Sequence, residues 1–127
     1  MNATKAIRRF LLILLFVPVI PCFAGEVAQQ ELAKILMNFH HFANDEQKAK
    51  LNTLASDSSL SDPERTIAQA LLGVKHWPSD EDKAKLNGIA SDSDVPDAVR
   101  ELARIVHDLK HQISDTDRQE LSAMISQ

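Results

Sequence analysis

Apolar residues recur at i, i+3 and i+4 along most of the chain, and the recurrence is itself repeated. Leu51, Leu54 and Ala55 form one stripe, Leu86, Ile89 and Ala90 a second, and Leu121, Met124 and Ile125 a third. That spacing marks a helix buried along one face. Between these lie longer stripes, Ile67, Ala68, Leu71 and Val74, then Val99, Leu102, Ala103, Val106 and Leu109. Each shorter stripe is preceded by a good N-cap, Asn44, Ser79 or Ser114, with Gln47, Asp82 or Asp117 three residues on. That pattern predicts a capping box or a near variant, in which the two side chains satisfy each other's orphan backbone N–H. Pro63 and Pro96 suit the first turn of the alternate helices, where a missing N–H costs nothing.

The helices come in copies. Residues 44–78 (NDEQKAKLNTLASDSSLSDPERTIAQALLGVKHWP) align without a gap with residues 79–113 (SDEDKAKLNGIASDSDVPDAVRELARIVHDLKHQI), at a period of 35 residues. A third, partial copy begins at Ser114, and residues 31–41 align with residues 66–76. Grouping each helix pair with its Pro-starting helix first gives repeats 25–59, 60–94 and 95–127. One helical hairpin cannot bury its apolar stripe, whereas three stacked neighbours share a continuous core. The expectation is an all-α fold: a short α-solenoid of three helical hairpins, about six helices.

The stretch Ser91-Asp92-Ser93-Asp94-Val95-Pro96-Asp97-Ala98-Val99-Arg100-Glu101-Leu102-Ala103 resembles a HEAT-like repeat, with an Asp-rich turn leading into a helix that carries Val-Arg and a nearby Ala. The likeness is weaker at residues 57–68, where Glu64 replaces Val99, and nearly absent in the first copy, which has Gln29-Gln30 there. The resemblance implies a right-handed stack of helix pairs and a protein-binding scaffold. The tetratricopeptide pattern is missing, and the chain has no Tyr.

The first 24 residues read as a secretory signal. Lys5, Arg8 and Arg9 precede an apolar run from Phe10 to Ile20, shorter than the roughly 20 residues of a membrane-spanning helix. Pro18 and Pro21 then lead to Cys22-Phe23-Ala24, with cleavage expected after Ala24. Pro21 takes the place of the small residue that precedes a lipidated cysteine, so Cys22 is not expected to carry lipid. The signal holds three of the 14 basic residues and none of the 18 acidic ones, leaving 103 residues with a net charge of −7. Such a chain is expected in the periplasm or outside the cell, with no stable membrane anchor after cleavage. Its acidity makes nucleic acid a poor partner. The only cysteine leaves with the signal, which removes disulfides and thiol chemistry.

Candidate chemistry is sparse. His41, His76 and His111 share one register, preceded by His40, Lys75 and Lys110. In an open stack, neighbouring helices lie about 8–10 Å apart, too far for successive rungs to share one ion, so Lys-His pairs are expected to close helices against the dipole. His107 and His111, four apart, are the better metal candidates by spacing, although His107 aligns with the core residue Leu72. Asp92, Asp94 and Asp97 lack the glycine of a calcium loop and are expected to cap the following helix and to pair with Arg100, as Asp57 is with Arg65. Trp77 either packs over the inter-helix turn or anchors a partner together with Lys75 and Lys110. The KAKL runs are solvated faces with Glu46–Lys50 and Glu81–Lys85 pairs. No catalytic constellation can be assembled. The sequence thus predicts an exported non-enzymatic module, needing no cofactor, that binds a protein partner. The alternative is metal or haem binding through helix-borne histidines. Weak self-association through Val27, Met124 and Ile125 at the two ends is a further expectation, because terminal repeats expose stacking faces.

Overall fold

The computed structural model describes residues 23–127, and the signal assigned to residues 1–24 lies almost wholly outside them. Six helices are described: α1 (Phe23–Met37), α2 (Asp45–Ser56), α3 (Asp62–Gly73), α4 (Asp80–Ser91), α5 (Asp97–His107) and α6 (Asp115–Ile125). The fold is all-α. None of these helices is long and apolar enough to cross a membrane.

The caps form much as their residue types dictate. Asn44 accepts from the Gln47 N–H at 2.8 Å while Gln47 Oε1 accepts from the Asn44 N–H at 3.0 Å, a complete capping box. Ser79 and Ser114 accept from the N–H groups of Asp82 and Asp117. The return arm differs, because aspartate is one methylene shorter. Its carboxylate accepts from the serine hydroxyl, at 2.8 Å and 2.7 Å, rather than from the backbone. A further box, Ser61 with Glu64, opens α3 and places Pro63 just inside the helix. Pro96 stands one position earlier than expected, as the N-cap of α5, with no side-chain cap bond. Ser61→Ala is expected to cost about 1 kcal/mol, read as a lowered urea midpoint; no loss would show that the box is idle.

The repeats do not extend as an open solenoid. The odd-numbered helices α1, α3 and α5 all pack on one another, and the even-numbered ones fit outside, α2 against α3, α4 against α5 and α6 against α1. The last contact closes the ring. It sets the fold apart from an extended α-solenoid, because the third copy packs back on the first. The inner helices run parallel: Gln29, midway along α1, donates to Glu64, its counterpart one repeat on, in the first turn of α3, and His41, His76 and His111 meet beyond the C-terminal ends. Closure also covers the end faces expected to self-associate. Met124 and Ile125 pack against the core, although Val27 stays exposed.

Inner helices supply most of the core. Leu32, Ala33, Leu36, Ile67, Ala68, Leu71, Leu102, Ala103 and Val106 are inaccessible to solvent, and each outer helix adds one such leucine, Leu51, Leu86 or Leu121. The two buried polar side chains among the described residues are both hydrogen-bonded. Gln47 donates to the carbonyls of Ile35 and Asn38, tying α2 to the end of α1. Glu64 accepts from Gln29 and from Ser61.

Charged pairs follow helix spacing. Glu46–Lys50 and Glu81–Lys85 form as expected, and Arg100 pairs with Asp97. Arg65 pairs instead with Asp62, and Asp57 accepts from Ser59. Asp57 precedes the helix, whereas Asp62 lies one turn before Arg65 within it.

Arg104 is the most heavily paired side chain. It donates to Glu101 of its own helix at 2.9 Å, to Asp117 of α6 at 2.7 Å and to Glu120 at 2.9 Å. Bonds from Arg104 hold Glu101 below the usual carboxylate range. Burial pushes Asp117 up, but donors from Arg104 and Ser114 outweigh it and keep it low. Glu120 is raised, chiefly by the neighbouring Glu101. Depressed carboxylates stabilise the fold fully above their unfolded pKa, about 4, and lose that contribution as pH falls through their folded values. The raised Glu120 acts in the opposite sense. Arg104→Gln is therefore expected to flatten the fall in melting temperature below about pH 4, and an unchanged acid limb would show that the network adds nothing.

Candidate functional site

Beyond the C-terminal ends of the three inner helices, the chain makes the same short turn three times. Its central residue is His41, His76 or His111, with φ of 61°, 85° and 64°, and these are the non-glycine residues with positive φ among those described. The Phe42 N–H donates to the His40 carbonyl at 2.6 Å and the Gln112 N–H to the Lys110 carbonyl at 2.7 Å. Such three-residue turns around a positive φ are rare and strained. Glycine or asparagine occupies them most cheaply.

The three turns hold each other. The His76 N–H donates to the His41 carbonyl at 2.8 Å, the His111 N–H to the His76 carbonyl at 2.9 Å, and the His41 N–H to the His111 carbonyl at 2.9 Å. This closed cycle of backbone bonds lies where the three repeats meet. It turns the three side chains toward one another: ring centroids are 5.5, 5.4 and 5.2 Å apart, all edge to face. One ring nitrogen from each lies within 4.8 Å of the other two, and all three residues are exposed.

Donors no farther apart than that lie at most about 2.8 Å from a common centre if evenly placed, so each moves in by at most about 0.7 Å to reach the 2.0–2.1 Å of a zinc–imidazole bond. Rotations about two side-chain bonds span that distance. The residues therefore fit a transition-metal ion, and the earlier reading of the register as helix-closing Lys-His pairs is corrected. The histidines lie past the helix ends, and ring closure brings together what an open stack keeps apart.

The other candidates are placed differently. His107, half-buried, has its Nδ1 2.7 Å from Asp108 and joins no group of three ligands among the described residues; His111 converges with His41 and His76 instead. The second acidic group, Glu101, Asp117 and Glu120, already surrounds Arg104. Lys75 and Lys110 are exposed beside the histidines, and make no ion pair among the described residues. Trp77 does not seal the inter-helix turn. It is 55% exposed, with its ring 6.1 Å from that of His76 and 6.0 Å from that of His111. Phe42, its counterpart in the first repeat, is 59% exposed.

The repeats themselves carry a signal for the site. Few registers hold one residue in all three copies. Ala33, Ala68 and Ala103 and the leucines 51, 86 and 121 are core; Asp45, Asp80 and Asp115 open the outer helices, and Ser56, Ser91 and Ser126 stand at their ends. Packing explains the alanines and leucines, and the helix dipole favours the aspartates of the first turns, while the serines are exposed residues at helix ends. The histidine register is exposed and conformationally strained, and neither packing nor the dipole explains a ring there.

Comparisons with protein-family models, with curated proteins and with solved structures give no match.

Proposed function

We propose that this is an exported protein that binds a transition-metal ion through His41, His76 and His111. The observation that carries the reading is the convergence of three imidazoles, one from each repeat, at three strained backbone positions. Strain of this kind costs about 1–3 kcal/mol per residue and persists where the surroundings over-determine it, commonly at functional sites. An all-imidazole set suits Zn2+, Cu2+, Ni2+ or Co2+ and does not suit Ca2+ or Mg2+, which take oxygen ligands. Three ligands from the protein leave further coordination positions open, as in sites that bind or exchange something at the metal. The reading is one of binding and not of turnover, since the set stands on an exposed face that does not exclude water.

Exposure of Trp77, Phe42 and Lys75 on the same face supports a second, compatible role, the capture of a protein partner there.

Titration with Co2+ tests the metal reading directly. One ion per chain is expected, with visible absorption bands from nitrogen ligation. Any of His41→Asn, His76→Asn or His111→Asn is expected to weaken binding at least about tenfold, the effect of losing one of three ligands. Asparagine tolerates positive φ, so the turn survives the change. Binding that ignores these variants but is lost in His107→Ala would overturn the assignment.

A further inference from the structure

A divalent ion on three neutral imidazoles keeps its full charge and faces solvent with coordination positions unfilled. What fills them is set by the rim. The residue before each histidine is His40, Lys75 or Lys110, all exposed. The lysines make no ion pair among the described residues, although the chain beyond the signal is acidic overall. The residue after each histidine is Phe42, Trp77 or Gln112, also exposed. The Trp77 ring stands perpendicular to that of His111, leaving an apolar surface beside the ligand set.

From this juxtaposition we infer that the bound ion takes a small organic carboxylate as its outer ligand, with Lys75 and Lys110 supplying the countercharge and Trp77 the apolar contact. The inference rests on the metal reading above. A carboxylate oxygen is an ordinary zinc or cobalt ligand at about 2.0–2.2 Å. Lys75 and Lys110, each next in the chain to a ligand histidine, add to the ion's attraction for an anion, partly offset at Lys110 by Asp108, which lines the same hollow. The exposed indole favours an acid with an organic group over inorganic phosphate, which has no apolar part to place there. A second copy of the chain is a poor occupant, since face-to-face docking sets Lys75 and Lys110 of one copy against the same residues of the other.

The test uses the full chain loaded with Co2+, whose visible bands report each change of ligand. Benzoate is expected to shift the bands saturably, with acetate about tenfold weaker for want of a ring to set against Trp77. Trp77→Ala should remove most of that difference while leaving acetate unchanged. The double reversal Lys75→Glu with Lys110→Glu should weaken both acids about tenfold or more and leave the cobalt bands in place. Bands that form but ignore benzoate, or that respond to phosphate alone, overturn the carboxylate proposal and leave the metal site standing. Failure of the bands to form in the unaltered protein removes the metal site and this inference together.

Discussion

Saturating Zn2+ is expected to raise the melting temperature by about 10–20 °C. An ion that binds only the folded chain, present at a hundred times its dissociation constant, contributes about 2.7 kcal/mol. In a domain of about 100 residues each kcal/mol moves the midpoint by about 4–8 °C. The full linkage applies because the ligands come from all three repeats, one beyond each of α1, α3 and α5. Opening any one repeat therefore dismantles the site. His76→Asn should unfold at nearly the same temperature as the unaltered protein without metal and gain little when zinc is added. His107→Ala should keep the whole gain, since that ring lies apart from the cluster beside Asp108. A melting curve indifferent to zinc, or a gain that survives in the asparagine variant, would count against the site.

Changes of at least comparable size are expected at the leucines of the outer helices. Leu51→Ala, Leu86→Ala and Leu121→Ala are each expected to cost about 2–5 kcal/mol, the usual range for removing a fully buried leucine. The informative quantity is their likeness. In an open stack the terminal helix frays independently, and a change at Leu121 scarcely touches global unfolding. Here α6 packs against α1 and Leu121 is as inaccessible as the other two. Three urea curves with similar shifts and unchanged slopes would establish the ring. A Leu121→Ala loss under about 1 kcal/mol, with only the C-terminus exchanging faster, would restore the open arrangement.

The helices, their caps and their buried faces were legible because each is decided within one or two turns of chain. Asn44 with Gln47 and the stripe of Val99, Leu102, Ala103 and Val106 announce themselves by spacing alone. The copy number and the period were equally open to reading. What the period does not carry is the rotation between successive copies. A repeat of 35 residues is compatible with a stack that advances and with one that returns to its start. The histidine register is visible in the sequence, yet whether its members meet depends on that rotation, which helix spacing within a stack does not specify. Pairing by proximity in sequence failed for similar reasons. Asp57 and Asp62 are both near Arg65 along the chain, and only the helix boundary decides between them. The placing of Trp77 depends on a turn conformation, a positive φ at His76, that few non-glycine residues adopt.

The closed arrangement of copies within a single polypeptide has a consequence for how such a site can change. Three identical subunits around a threefold axis place equal residues at equal positions, so every alteration of the rim is made three times at once. Here each copy is encoded separately. The imidazoles have stayed alike, while the residues before them read His40, Lys75 and Lys110 and those after them Phe42, Trp77 and Gln112. The result is a symmetric set of donors inside an asymmetric frame, able to present one ion with a different neighbour on each side.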